Sequence, residues 1–239
     1  MSILLKKIVA LALSVLALTS FASCSLFGEQ KTEIDPTLFD FETQLSLPKQ
    51  GEQIAVVTTS LGTFRMKFFP QYAPNAVENF ITLAKEGYYD NSHVFCIDPQ
   101  NAFMAGSPDN QGVEYKSIFN DGKPFAKECT DALWHFSGSV SAISSERDKG
   151  DSRFLILGDM QIPEEIFDSM KKYKYPEELI ERYRENGGSP TLDGRHTVFA
   201  QVFEGIETIN AINKLEIGEN GRPTTDFKIE KIEIVNYGE

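Results

Sequence analysis

Two apolar runs, Ile54–Thr59 and Thr63–Phe69, flank Ser60-Leu61-Gly62, and this junction constrains the chain more than any other feature. Short runs rich in Val, Ile, Phe and Thr, joined by a few residues ending in glycine, pair as a β-hairpin. Within the second run Phe64, Met66 and Phe68 share one face, and Arg65 and Lys67 take the other. Runs of the same character recur at Val94–Ile97, Val140–Ile143, Phe154–Leu157 and Val198–Phe203. Ile229, Ile232 and Ile234 close the series, with one slip in alternation that predicts a bulge. Only two helical patterns pack among these strands. Pro74 opens the first, whose Val77, Phe80, Ile81 and Ala84 recur at helical spacing before Gly87 stops it; Ile206, Ile209 and Ile212 mark the second. Many short strands with two packing helices predict a mostly β domain, a barrel or a sandwich. Between Asp159 and Pro190 the pattern changes. Pro163 and Pro176 each open an amphipathic stretch and Gly187-Gly188 ends the second, so a helical pair is inserted at about 160–190.

The first residues follow other rules. Lys6-Lys7 precede an apolar run, Ile8 to Leu18, interrupted only by Ser14, and Phe21-Ala22-Ser23-Cys24 closes it with small residues. That run is too short for a resident membrane helix and has the layout of a secretion signal, residues 1–23. A cysteine directly after small residues resembles the lipobox of bacterial lipoproteins, which predicts a lipid-modified Cys24 and an extracytoplasmic, membrane-anchored protein. The other reading is an ordinary secretory signal with a chance cysteine. Two acyl chains anchor stably, because each buried methylene contributes roughly 0.8 kcal/mol. Residues 24–52 are polar and acidic without a sustained period and are expected to form a flexible tether; residues 53–239 are expected to form the folded domain.

Removing residues 1–23 takes away Lys6 and Lys7 and no acid, moving the net charge from −12 to −14. An acidic surface argues against nucleic acid as a partner. With Cys24 assigned to lipid, Cys96 and Cys129 remain, and spacing leaves open whether they pair.

Leu61-Gly62, Ala73-Pro74, Glu78-Asn79-Phe80, Gly87-Tyr88-Tyr89-Asp90, Phe103-Met104, Ser152-Arg153-Phe154-Leu155-Ile156 and Leu192-Asp193-Gly194-Arg195-His196 run in colinear order over residues 53 to 237. In that order they resemble the cyclophilins, a family of prolyl isomerases, and Gly187-Gly188-Ser189-Pro190 with the helical insert resembles its bacterial branch. The resemblance implies a closed eight-stranded antiparallel β-barrel capped by two helices. It implies no cofactor and no metal, because isomerising an X-Pro bond needs neither. The barrier comes from amide resonance, and catalysis needs an apolar slot for the ring and a donor for the nitrogen lone pair freed in the twisted state.

By the same resemblance Phe103, Met104, Leu155, Leu192 and His196 line the slot, His196 shaping it and donating a hydrogen bond. Leu155 replaces a phenylalanine. The polar side departs from the family. Cys96 stands at the catalytic arginine position, Gly106 replaces a glutamine, Ser144 an asparagine, Arg153 a glutamine and Thr191 a bulky residue. A cysteine supplies no fixed, charged, forked donor. Arg153 is a candidate substitute, since its strand borders the cleft in the family. Three readings follow: a membrane-tethered isomerase of weakened turnover acting on proline-containing segments of unfolded exported proteins; a non-catalytic proline-peptide or chaperone module; and thiol chemistry at Cys96. A single copy of the chain is expected to act alone.

Overall fold

The computed structural model describes residues 33–239. The signal segment, Cys24 and the first part of the expected tether lie outside the described residues. In chain order the elements are α1 (Phe41–Leu45), β1 (Gln53–Thr59), β2 (Gly62–Phe68), α2 (Pro74–Lys85), β3 (Ser92–Asp98), β4 (Ala102–Ser107), β5 (Phe125–Ala126), β6 (Ser139–Ala142), β7 (Lys149–Gly150) and β8 (Phe154–Leu157), followed by α3 (Glu164–Lys172), α4 (Glu177–Asn186), β9 (Thr197–Glu204), α5 (Ile206–Ile212) and β10 (Lys228–Asn236). Eight strands close an antiparallel barrel in the order β1-β10-β3-β4-β8-β6-β9-β2, and β5 and β7 form a separate two-stranded ribbon.

The β1–β2 hairpin pairs Thr59 with Gly62, so Ser60 and Leu61 make the turn. Thr59 Oγ1 accepts from the Leu61 N–H at 3.2 Å and donates to the Gly62 carbonyl at 2.9 Å. The slip at the C-terminus is a bulge: Thr58 faces Lys231 and Thr59 faces Ile229, leaving Glu230 unmatched.

Inward side chains of the barrel meet the apolar stripes of α2 and α5 in one core. Phe64, Met66, Leu83, Phe103, Ile156, Ile209 and Ile212 are fully buried there. Phe80 of α2 joins barrel and helix, stacking on Tyr89 at 4.9 Å and meeting Phe154 and Phe199 at 5.5 and 5.4 Å. Each such ring removed from water contributes roughly 1.5–3 kcal/mol. The inserted pair, α3 and α4, buries Phe167, Met170, Leu179, Ile180 and Tyr183. The Tyr183 hydroxyl ties α4 to the segment before β9, donating to Asp193 at 2.8 Å and accepting from the His135 N–H at 3.1 Å.

The expected tether is corrected over residues 35–46, which are docked on the domain. Asp40 caps α1 by accepting from the Thr43 N–H at 3.2 Å. Phe41 is buried between Phe39 and Phe136, with the Arg182 guanidinium over its ring. Gln44 is fully buried, donating to the Trp134 carbonyl at 2.7 Å and to Gln201 at 3.1 Å and accepting from the Trp134 N–H at 3.0 Å. One short helix carries no sustained period, which is why the segment is featureless to a periodicity argument. Lys67 lies beneath it. Its ammonium is buried and donates to the carbonyls of Thr43 and Ser46, so an outward-facing lysine is not a solvent-facing one here.

Candidate functional site

The strand register places an outward row of side chains across four strands. Cys96 of β3 faces Met104 of β4, Met104 faces Leu155 of β8, and Leu155 faces Ser141 of β6. Ala102 and Leu157 form the neighbouring pair. Ala102, Leu155 and Leu157, with the half-buried Met104, Ile143 and Leu192, form an apolar cluster separate from the barrel core. Leu192 reaches it from a single 3₁₀ turn, Pro190–Leu192. The result is an apolar patch on the outside of the barrel, between β4, β8 and the turn before β9, where the resemblance places the proline-binding groove.

Successive strand residues point to opposite faces, so Phe103 and Met104 cannot both look outward. Phe103 pairs with Ile156, and both are wholly buried inside the barrel. The expectation that Phe103 lines the slot is therefore corrected: it supports the groove from within.

Arg153 is also placed otherwise than a substitute donor requires. Its Nε and Nη2 donate to the two carboxylate oxygens of Asp151 at 2.9 and 2.6 Å, and Nη1 donates to the Gly112 carbonyl at 2.7 Å and Ser145 Oγ at 2.9 Å. Tyr115 covers the guanidinium at 5.0 Å. The side chain is 6% exposed and Asp151 is fully buried. Such a pair is held for structure, clasping the loops at Gly112 and Ser145 to β8. Burial with four donors engaged removes Arg153 as a stand-in for the missing arginine.

Gly106 has φ +91°, and a Cβ there would lie 2.4 Å from the Ser152 carbonyl and 2.9 Å from the Phe154 ring. Backbone occupies the space in which the family's glutamine would start. The following loop is tied by Asp109: partial burial works against its charge, but the Glu114 N–H, Ser107 Oγ and the Gln111 and Val113 N–H groups hold the carboxyl down at about 2. Ser144 is half-buried, and its hydroxyl accepts from the Glu146 N–H at 3.2 Å, so it shapes its own loop. The Thr191 hydroxyl is 3.0 Å from Ser189 Oγ.

His196 precedes β9 and borders a small cleft with Cys129, Leu133, His135 and Val198. Burial, with the charges of His135, Arg195 and Lys127, lowers its pKa to about 4, so the ring is neutral at pH 7. A neutral imidazole donates one hydrogen bond and carries no charge. Cys96 and Cys129 are not joined in a disulfide, and Cys129 Sγ donates to the His196 carbonyl at 3.2 Å. Burial and the neighbouring Asp98 push the Cys96 thiol up, against the pull of Arg222, so it stays protonated at neutral pH and is a poor nucleophile.

Sequence reasoning missed Ala102, Ile143 and Leu157, which look like ordinary strand residues, and the hairpin over Cys96 described below. Asn220-Gly221 is the signal that finds it, since this dipeptide favours tight hairpin turns.

Comparison with known proteins agrees with the fold. The family model "Cyclophilin type peptidyl-prolyl cis-trans isomerase/CLD" matches residues 54–234. A Staphylococcus saprophyticus protein named "Putative peptidyl-prolyl cis-trans isomerase" is 32% identical over 193 residues, covering 80% of this chain and 97% of its own length. A protein of the same name from Staphylococcus aureus strain USA300 is 32% identical over 186 residues, 78% of this chain and 93% of its own. Among solved structures, a Cryptosporidium parvum cyclophilin-type isomerase superposes with a TM-score of 0.61 at 21% identity, covering 77% of this chain and 98% of its own. The same protein in the presence of the dipeptide Ala-Pro gives 0.60 at 20% identity, with 77% and 99% covered.

Proposed function

The chain belongs to the cyclophilin-type peptidyl-prolyl cis-trans isomerases, and from that premise we propose that it binds X-Pro segments of unfolded exported proteins and isomerises them slowly. The observation that carries this reading is the outward apolar cluster of Met104, Leu155, Ile143 and Leu192. Met104, Ile143 and Leu192 are half-buried beside the buried Leu155, an apolar patch of the chemistry that accepts a proline ring. Rotation about the X-Pro bond must break amide resonance, a barrier of about 18–20 kcal/mol. A site lowers it through donors that bind the twisted state more strongly than either planar one.

Slow turnover follows from the row that begins at Cys96. The family's forked cation is replaced there by a protonated thiol, and Arg153 is committed to Asp151. Loss of one preorganised donor costs about 10²–10³ in rate in comparable sites. Lys6-Lys7, the apolar run behind them and Cys24 support an extracytoplasmic site of action with a lipid anchor.

An Ala-Pro tetrapeptide followed by NMR exchange tests the reading. The expected outcome is saturable binding with faster cis/trans exchange. A peptide that neither binds nor exchanges faster would sink it. The commitment of Arg153 favours a second reading, a binding module without turnover, and binding with an unchanged exchange rate would select it.

A further inference from the structure

We infer that Arg222 supplies the donor that β3 lacks, reaching the prolyl nitrogen of a peptide seated on Met104 and Leu155; the inference rests on the isomerase reading above. Residues 216–224 form a hairpin. The Gly218 N–H donates to the Arg222 carbonyl at 2.8 Å, the Thr224 N–H donates to the Glu216 carbonyl at 2.8 Å, and Ile217 bridges to Pro223. Asn220 and Gly221 at its tip have φ of 65° and 72°, both in the left-handed region that a tight hairpin turn requires.

The tip lies against β3 at the outward residue Cys96. The Asn220 carbonyl is 3.9 Å from Cys96 Sγ. A Cβ on Gly221 would sit 2.8 Å from the Ile97 carbonyl and 3.2 Å from Cys96 Sγ. Glycine at 221 and a short side chain at 96 therefore permit one close approach between them. The departure from the family at Cys96 and the seating of the hairpin are two sides of the same contact. Arg222 is the next residue after this contact, and its charge acts on the Cys96 thiol.

The other cations in this part of the fold are committed. Arg153 is locked to Asp151, and Lys127 is bound to Asp148 and to the Gly194 carbonyl. His196 is neutral at pH 7. Arg222 is solvent-exposed, and among the described residues no carboxylate pairs with its guanidinium. A guanidinium within electrostatic reach of Cys96, the arginine position of β3, has donors to spare for a bound peptide. As the imide twists, the nitrogen lone pair localises and accepts an N–H bond that the planar amide does not. No covalent bond is made and no proton is transferred. The donor's contribution is confined to the twisted state, which raises kcat without tightening ground-state binding.

The test compares wild type, Arg222→Ala and Arg222→Lys in the full chain, measuring kcat/KM on the tetrapeptide by exchange and Kd by titration. Arg222→Ala is expected to lose about 10–100-fold in kcat/KM, less than an enclosed donor because the residue is exposed. Its Kd should stay within about twofold, and Arg222→Lys should recover part of the rate. Equal rates for wild type and Arg222→Ala would overturn the inference and leave the isomerase reading standing. So would a rise in Kd that matches the whole loss of rate, since Arg222 would then be a binding contact only. A wild type that does not accelerate exchange overturns both.

Discussion

On the β2–β9 side of the barrel, outward side chains are covered by the protein's own residues 35–46; on the β4–β8 side, Ala102, Leu155 and Leu157 are buried but Met104, Ile143 and Leu192 stay half-buried. Lys67 and Gln201 point out of the first face and are buried, because α1 and the carbonyls around it close over them. Met104 and Leu192 point into the second and are half-exposed, with only a 3₁₀ turn and a hairpin at its borders. The covered face is polar and each of its groups finds a protein partner, as burial demands. The other face is apolar and covered only in part. The difference teaches which outward residues serve stability and which await a ligand.

The largest effect should come from the rim of the partly covered face. Arg153→Ala would leave Asp151 charged and buried without its partner, a loss of about 3–5 kcal/mol measurable by urea denaturation. Unchanged stability would show that the rim is not structural, and the contrast between the two faces would blur. Next is the covered face: Phe41→Ala should cost about 3 kcal/mol by emptying its aromatic pocket. The folded variant should bind the proline tetrapeptide as well as wild type; lost binding would mean that the docked segment serves the groove.

The last effect is a pH dependence. His196 has a folded pKa of about 4, below its unfolded value near 6.5. The folded state thus resists protonating it, so its contribution to stability is complete above pH 6.5 and is lost as pH falls toward 4. Wild type should lose stability across that window more steeply than His196→Gln. Parallel curves for the two would mean that the imidazole is hydrated.

Much of the fold is legible in the chain because it is local. The β1–β2 hairpin, the two packing helices, the inserted pair and the bulge near Glu230 each follow from a few neighbouring residues. Period-two alternation also separates Phe103 from Met104, although family likeness placed both in the slot. Other features are long-range and leave no local mark. Gln44 meets Trp134 and Gln201 only after the barrel closes, and Asn220 meets Cys96 across more than a hundred residues.

By itself the sequence determined the barrel's strands, the apolar trio Met104, Leu155 and Leu192, and the absence of an arginine at position 96, since alternation and residue identity are properties of the chain. Only the tertiary structure decided where the charges go: Arg153 into a buried clasp, Lys67 beneath the N-terminal segment and Arg222 beside Cys96. The reason is physical. A charged side chain's role depends on which carboxylates, carbonyls and water surround it, and those neighbours are assembled by strand register and closure.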